Sequence, residues 1–319
     1  MLYLIFLISL VSFEEFFTGG YTVINGVGSY YSVSGGSWLI SQCQFIGLSN
    51  KAIYCSTSSV KLVIGDCFFY QVSSSSNGGA VFYQSSGGSI GIKRVCCYSC
   101  VTTSGYSYGS FLYSPQHSNC LIYDSSFAKC VINEPVHEQS SVLFLCSGII
   151  HVQAANTSYN QLRSYLIALI SSATSCNYSF STISNNHAAW ARILEVQSCN
   201  TCFYRDNFIN NSVSDTNDCV FSQYGSGKTS FTQTIFLDCA KTQSQNLLSS
   251  SSFLFTECWI NIGNIPSDLR QGVTFGTTNP YPNSFFSTHL CDNYMLGKEP
   301  TSTHKIQKMW LFGIIAIIQ

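Results

Sequence analysis

Cysteine is the residue type with the most chemistry to offer in this chain. Of the 16 cysteines, Cys97/Cys100 and Cys199/Cys202 form two CxxC pairs. Four thiolates can hold zinc tetrahedrally, but these two pairs fall about four turns apart in the repeat described below, too far for one ion to bridge. Sixteen cysteines fit an oxidising compartment, so we expect stacked or disulfide-bonded thiols, in pairings that the sequence does not reveal.

A glycine-rich stretch at 222–229, SQYGSGKT, has the look of a phosphate-binding loop. That motif needs glycine where Ser222 stands, and a helix after Lys228 and Thr229. A strand-like segment, FTQTIF at 231–236, follows instead. We therefore expect a tight turn here and no nucleotide.

Carboxylates could act as general acids and bases or hold calcium, provided that they converge on one face. Asp66, Asp206 and Asp238 do not share one position in the repeat, and the six histidines form no HExxH motif. This pattern favours a non-enzymatic protein with no metal ion and no cofactor. The acidic residues near the repeated segments are Asp66, Asp124, Glu195, Asp206, Asp238 and Glu257.

Aromatic residues suit contact with glycans or proteins where they stand exposed among small residues. Tyr30, Tyr31, Tyr106 and Tyr108 occur beside glycine and serine in predicted turns. Ordinary packing of the turns is the alternative interpretation.

The composition excludes several classes of protein. Only 9% of the 319 residues are charged, against roughly 25% in an average soluble domain, and the net charge is −1. There is no basic footprint for nucleic acid or anionic lipid. With 45% hydrophobic and 14% aromatic residues, the chain is not of the disordered kind.

Both ends of the chain are apolar. Residues 1–13, MLYLIFLISLVSF, have the length of a signal-peptide core, although no basic residue precedes them. Residues 309–318, MWLFGIIAII, are too short to cross a bilayer, so we consider an anchor signal, the start of a truncated transmembrane helix, or an apolar cap. Sequons at Asn156, Asn177 and Asn210 are then candidate glycosylation sites. We expect an extracellular or cell-surface protein.

An internal repeat predicts the secondary structure that positions all these residues. Short segments recur at a mean spacing of roughly 27 residues, in the range of solenoid repeats. Each centres on one large apolar residue and is bounded by serine, glycine or asparagine. The predicted anchors are Phe45, Phe69, Tyr98, Phe127, Tyr159, Ile183, Phe208, Phe236 and Trp259.

The runs around these anchors are too short for helices and are typical of strands of about 3–6 residues. Equivalent residues at a fixed spacing favour a coil that advances by one strand per turn, in which like side chains stack. We therefore predict an all-β, right-handed parallel β-helix of about nine turns over residues 20–290, a linker at 291–308 and the tail. Cys43, Cys67 and Cys96 should form one column, and Asn186 and Asn211 a short asparagine ladder.

Two short motifs carry a resemblance to a known family. Gly78-Gly79-Ala80-Val81 matches the GGA[I/L/V] repeat, and Phe208-Ile209-Asn210-Asn211 the FxxN repeat, of the polymorphic membrane protein family. The chain is also similar to cysteine-containing β-helix surface proteins of some parasitic protists. The resemblance covers roughly residues 35–262 and implies an adhesive or coat role at the cell surface.

We thus expect a secreted or membrane-tethered β-helix that works by contact with surface glycans or proteins. Loops at 73–78, 102–108, 133–140 and 212–218 would be presented along one side of the coil. The alternative is a carbohydrate-active enzyme on the same fold, which requires at least three charged side chains converging in one groove.

Overall fold

The computed structural model describes residues 20–103, 108–130, 141–162, 167–188, 192–214, 219–239, 247–248, 253–261, 265, 272–275 and 291. These residues form an all-β parallel solenoid of about seven turns, which confirms the predicted fold class. The predicted signal peptide, apolar tail and all of the predicted linker except Cys291 lie outside the described residues.

Every strand pairing among the described residues is parallel, and the strands stack into three faces. Face one consists of β1 (Thr22–Val27), the first half of β3 (Ser37–Ile46), β5 (Lys61–Gly65), β9 (Ser89–Lys93), β13 (Asn119–Tyr123), β16 (Ile149–Gln153), β20 (Ser175–Ser179), β24 (Thr201–Tyr204), β28 (Thr229–Thr232) and β30 (Phe253–Thr256). Face two consists of the second half of β3, β6 (Phe68–Tyr70), β10 (Cys96–Tyr98), β14 (Ser126–Ala128), β17 (Asn156–Ser158), β21 (Thr182–Ser184), β25 (Asn207–Ile209), β29 (Ile235–Leu237), β31 (Cys258–Ile260) and β32 (Val273–Phe275).

Face three consists of β2 (Tyr31–Val33), β4 (Ile53–Cys55), β8 (Val81–Gln84), β12 (Leu112–Gln116), β15 (Leu143–Cys146), β19 (Ala168–Ser171), β23 (Leu194–Gln197) and β27 (Phe221–Tyr224). Two small ladders lie between faces two and three: β7 (Ser73–Ser74) with β11 (Val101–Thr102), and β18 (Gln161–Leu162) with β22 (His187–Ala188) and β26 (Ser212–Val213).

The turn count is lower than the nine that the anchors predicted. The turns from β3 to β27 each carry a strand on all three faces. Beyond β27, only an isolated bridge between Phe221 and Leu248 continues face three among the described residues. The anchors extend further because faces one and two continue through β28–β32, where the described residues contain no named strand on face three.

The anchor column runs up the inside of face two. Six of the nine predicted anchors stack in it, and the three others are each replaced by a nearby residue: Cys97 for Tyr98, Thr157 for Tyr159 and Ile260 for Trp259. Tyr159 shows why, because it has a left-handed backbone (φ 56°) and its side chain is 56% exposed. The column consists of Phe45, Phe69, Cys97, Phe127, Thr157, Ile183, Phe208, Phe236 and Ile260.

Two corners recur in every turn because one residue at each has a left-handed backbone. The first corner joins face one to face two, and its left-handed residues are Gln42, Asp66, Arg94, Asp124, Ala154, Phe180, Arg205, Gln233 and Glu257. The second corner follows face two, and its left-handed residues are Gly47, Gln71, Ser99, Lys129, Tyr159, Asn185, Asn210 and Asp238. At each corner the next residue points into the core, which explains the FxxN pattern: Phe208 and Asn211 both face inward.

The GGAV and SQYGSGKT motifs both form turns. A Cβ atom on Gly79 would lie 2.2 Å from the carbonyl oxygen of Ser110, so only glycine fits between these turns before β8 begins. The SQYGSGKT stretch connects β27 to β28 without a helix, as predicted, and Gly225 has a φ of 69°.

Aromatic rings stack on one another in the core. Phe45 stacks on Phe69 with ring centroids 4.6 Å apart, and Phe208 stacks on Phe236 at 5.3 Å. Parallel stacking follows from the roughly 4.8 Å spacing of strands, which places like side chains one above another.

Candidate contact surface

An aromatic ladder stands on the outer surface of face three. It consists of Tyr54, Phe82, Tyr113 and Phe144, one from each of four successive turns, in register with one another. Their ring centroids are 5.0, 5.4 and 4.8 Å apart, and each pair is stacked. All four side chains are half-buried, so their outer edges reach solvent.

Strand alternation places these rings outside. In each of the four strands the residue before the ring is buried in the core, namely Ile53, Val81, Leu112 and Leu143. Because successive side chains of a strand point to opposite faces, the next residue must point outward. Rings that stack on each other present their edges, which carry partial positive charge and attract oxygen acceptors.

Two neighbours widen this surface. Tyr108 packs against Phe144 with ring centroids 4.6 Å apart, from the connection between faces two and three. Lys51 places its Nζ 5.8 Å from the centre of the Phe82 ring and donates to Ser74 Oγ at 3.1 Å. Burial lowers the pKa of Lys51. Lys51 is itself only 8% exposed, so its amine borders the rings but adds little to the exposed surface.

The column of outward residues that contains the ladder is no longer aromatic in the turns that follow Phe144. It continues through Leu169 to Glu195 and Ser222, all buried. Glu195 pairs with Arg192 at 3.1 Å, and the guanidinium of Arg192 lies 4.8 Å from the centre of the Tyr224 ring. The stacked aromatic ladder of face three is thus limited to the turns of β4, β8, β12 and β15.

The tyrosines that the sequence singled out have different environments. Tyr108 belongs to this surface, and Tyr30 is 49% exposed. Tyr31 instead packs edge-on against the core residue Phe45, with ring centroids 5.9 Å apart, which is ordinary packing. Tyr106 lies outside the described residues. Sequence reasoning missed the ladder itself, although the fixed place of its rings one residue after a buried aliphatic could have indicated it.

The three sequon asparagines also differ in accessibility. Asn210 is exposed in the second corner, where its Nδ2 donates to Asn185 Oδ1 at 2.8 Å. Asn177 is half-buried on the outer surface of β20. Asn156 lies in β17, and its Oδ1 is buried without a hydrogen-bond partner. Asn210 is therefore the most accessible candidate for glycosylation.

The candidate carboxylates lie in several places. Asp66, Asp124 and Glu257 are left-handed residues of the first corner, Asp238 belongs to the second, and Glu195 is on face three. Asp206 points into the core and is 1% exposed. Arg94 shares the column of Asp66 and forms a two-pronged ion pair with it, at 2.5 and 2.6 Å. This stacked pair was hidden in the sequence because the predicted anchor Tyr98 is one residue off register.

One histidine lies between two serines. His187 Nδ1 is 2.9 Å from Ser212 Oγ, and its Nε2 is 3.0 Å from Ser214 Oγ. A histidine can activate a serine, but nucleophilic catalysis also needs an orienting group and oxyanion donors. This trio contains no carboxylate. Within the described ranges, no group of three His, Cys, Asp or Glu residues is arranged to hold a metal ion.

The cysteines are mostly small core residues. Cys43 and Cys67 stack in the first corner as predicted, but Val95 takes the third place of that column and Cys96 faces outward. Cys96 forms a disulfide with Cys291, which confirms a disulfide in this chain. Cys97 and Cys100 belong to the core, and Cys97 Sγ lies 3.7 Å from Cys130 Sγ. Cys202 instead lies half-buried on the outer surface of face one, as the second residue of β24.

No family model, curated protein or solved structure matches the chain. In the part of the chain that the structure describes, no helix is long and apolar enough to span a membrane.

Proposed function

We propose that this protein is a non-enzymatic β-helix of the cell surface that works by contact, in adhesion or as a coat. The observation that carries the proposal is the aromatic ladder. Four stacked rings with half-exposed edges, in a chain with few charges, form a surface whose chemistry suits uncharged partners. Surface glycans and proteins are such partners, since both offer oxygen acceptors and apolar C–H groups.

The repeat gives this surface its mechanism. Each turn adds one ring at a spacing of about 4.8 Å, so a partner that also repeats can engage several rungs at once. Weak contacts then add through shared geometry. The resemblance of GGAV and FxxN to the polymorphic membrane protein repeats supports the same role, with secretion through the first 13 residues, a membrane tether through the tail, and glycosylation of Asn210.

A carbohydrate-active enzyme is less well supported by the same residues. The ion pair Asp66–Arg94 belongs to the first corner, whereas Arg192–Glu195 belongs to face three. In these two pairs the carboxylate and its basic partner belong to the same corner or face, so the two pairs do not converge in one groove.

The test is attachment of cells or glycan-coated beads to the purified protein. We expect the double variant Phe82→Ser/Tyr113→Ser to lose at least tenfold in attachment, since it interrupts the ladder in the middle. Leu254→Ser is the matched control, because Leu254 is an exposed apolar residue on face one. Equal attachment by the wild type and the double variant, with both folded, would contradict the proposal.

A further inference from the structure

A buried lysine lies beside two serines in the connections between faces two and three. Lys51 is 8% exposed, and its Nζ lies 3.1 Å from the Oγ of Ser74 and 2.5 Å from the Oγ of Ser76. Ser74 is 2% exposed, whereas Ser76 is exposed. The amine is therefore held directly behind a hydroxyl group that solvent reaches.

Hydrogen bonds on both sides of Ser76 fix the loop that carries it. On one side, the carbonyl oxygen of Ser74 accepts from the backbone N–H of Thr103 in the next turn, at 2.7 Å. On the other side, Asn77 Oδ1 accepts from the backbone N–H of Tyr108 at 2.8 Å. The backbone N–H of Ser76 itself donates to Ser74 Oγ at 3.3 Å. The Ser76 hydroxyl is thus positioned against the amine before any partner arrives, as efficient reaction of the hydroxyl requires.

Among the residues that the structure describes, no carboxylate pairs with Lys51. The stretches 48–55, 72–84 and 100–116 form this side of its own turn and of the next two, and they contain no Asp, Glu, Arg or second Lys. The remaining contact of the amine is the Phe82 ring, whose centroid is 5.8 Å away. Because burial without a counter-charge favours the neutral amine, the pKa of Lys51 is lowered.

A neutral amine at hydrogen-bond distance from a serine hydroxyl can act as its general base. In this state Lys51 donates to Ser74 and accepts the hydrogen of Ser76, so Ser74 orients the base from the buried side. A lysine that burial has made neutral needs no carboxylate for this role, which distinguishes the trio from that of His187. The arrangement supplies an exposed nucleophile, a buried base and an orienting group.

We propose that Ser76 is a covalent modification site, where Lys51 activates the hydroxyl to accept an acyl group from a thioester. Lys51 Nζ takes the proton while Ser76 Oγ forms a bond to the carbonyl carbon. The C–S bond then breaks, and the leaving thiolate takes the proton from the Lys51 ammonium, so the products are an ester on Ser76 and a thiol. Repeated turnover would also need oxyanion donors, so the inference is one acyl group per chain. It goes beyond the proposed function and does not depend on it.

The first test uses the folded full-length protein without any substitution. A fluorophosphonate labels activated serine hydroxyls with loss of fluoride, and peptide mapping locates the label. We expect Ser76 to be labelled about 100-fold faster than Ser75, since a positioned general base contributes at least about that factor. Ser75 is the matched control because it is an exposed serine of the same loop. Equal rates at the two serines would overturn the proposal.

The second test removes the base. Lys51→Met keeps an unbranched side chain of similar length against Phe82 but has no amine, so labelling of Ser76 in the folded variant should fall to the rate of Ser75. Lys61→Met is the matched control, since Lys61 is a half-buried lysine of face one, and it should leave the labelling unchanged. Full labelling of Ser76 in folded Lys51→Met would mean that the lysine is not its base.

A simple thioester tests the acyl transfer itself. Incubation with the acetyl thioester of N-acetylcysteamine should place one acetyl ester on Ser76, detected by peptide mass, and Ser76→Ala should not acquire it. Lys228 is an exposed lysine and reports unassisted acetylation of amines in the same sample. Acetylation of Lys228 without any ester on Ser76 would contradict the proposal.

Discussion

The two corners of the solenoid supply hydrogen-bond partners for buried backbone groups with different side chains. At each corner the chain bends through a left-handed residue, and the next residue points inward among backbone groups that need partners. In the first corner six of the nine inward residues carry a hydroxyl or thiol group. Ser125 Oγ, for example, donates to the carbonyl oxygen of Tyr123 at 2.7 Å and accepts from the backbone N–H of Val95 at 3.1 Å.

The second corner uses asparagine in its central turns. Asn186 Oδ1 accepts the backbone N–H of Asn160 at 3.0 Å, and its Nδ2 donates to the carbonyl oxygen of Thr157 at 2.9 Å. Asn160 and Asn211 make the same contacts one turn below and above. All three are fully buried, so the predicted ladder of Asn186 and Asn211 is confirmed and has a third rung.

The difference shows what each group can do. A serine hydroxyl has one hydrogen, which Ser125 donates to the carbonyl oxygen two residues earlier, so Ser125 bonds to the turn below as an acceptor from Val95. A carboxamide has separate donors and acceptors, so Asn186 both accepts from and donates to the turn below. The second corner is therefore the stronger connection between turns, and the first corner tolerates more variety.

The largest expected effect is at the middle rung of the ladder. Asn186→Ala leaves the backbone N–H of Asn160 and one N–H of the Asn160 carboxamide buried without the acceptor that they share. At about 1–3 kcal/mol for each orphaned group, we expect a loss of about 3–5 kcal/mol in the free energy of unfolding, measured with urea. Asn185→Gly is the control, because it keeps the left-handed corner and leaves the ladder intact. A loss of under about 1 kcal/mol for Asn186→Ala would mean that the ladder is not a main connection between turns.

A smaller effect is expected in the first corner. Ser125→Ala orphans only the backbone N–H of Val95, so we expect a loss of about 2 kcal/mol. Ser125→Cys should cost less than about 1 kcal/mol, since Cys43, Cys67 and Cys258 already occupy the same column. Equal losses for both variants would show that the column does not tolerate a thiol here, contrary to the comparison.

Asp206 places a carboxyl group at an inward position of the first corner, where most turns have a hydroxyl or a thiol. Replacing it should stabilise the protein. Burial raises the pKa of this carboxyl well above its ordinary value, and its Oδ2 has no hydrogen-bond partner. Below pH of about 4 the group is protonated in both the folded and the unfolded state. As pH rises above that value, the unfolded state ionises more readily, so folding stability falls by up to about 1.4 kcal/mol per pH unit.

We therefore expect Asp206→Ser to be more stable than the wild type by about 1–2 kcal/mol at pH 7 and about equal at pH 4. Denaturant unfolding at the two pH values measures this. Asp238→Ser, at an exposed left-handed position of the second corner, is the matched control for removing a carboxyl group. A variant less stable than the wild type at pH 7 would mean that the Asp206 carboxylate is favourably bound.

The smallest expected effect comes from a variant that adds a rung to the asparagine ladder of the second corner. Cys130 lies directly below Asn160 in the second corner, and its backbone N–H already donates to Asn160 Oδ1 at 2.8 Å. Cys130→Asn should place a carboxamide within reach of the backbone of Cys97 and Cys100, for a gain of about 0.5–1 kcal/mol. A loss of stability would show that the contact between Cys130 and Cys97 is worth more than the added hydrogen bonds.

Much of this architecture could be predicted because successive turns of a solenoid place similar residues at equivalent positions. Phe45, Phe69, Phe127, Phe208 and Phe236 were identified correctly as one column, since a large apolar residue at one phase of every turn must fill the same interior. The ladder of Asn186 and Asn211 followed from the same phase. What failed were the positions where the strongest apolar residue is not the inward one.

Thr157 is such a position, because its neighbour Tyr159 is larger and more apolar but occupies the left-handed corner. The candidate contact surface was missed for a related reason. Tyr54, Phe82, Tyr113 and Phe144 lie in face-three strands that follow connections of variable length, so their distance from the anchor residues of their turns is not constant. Only the register of the strands brings them into one stack.

The sequence by itself determined that the chain coils with parallel strands, because only stacking of successive turns makes equivalent residues recur along the chain. The tertiary structure decided which neighbour of each anchor faces the core, because a single left-handed residue at a corner resets the alternation of a strand. It also decided that Cys96 joins Cys291, 195 residues away, since distance along a chain carries no information about contacts that close across the outside of a coil.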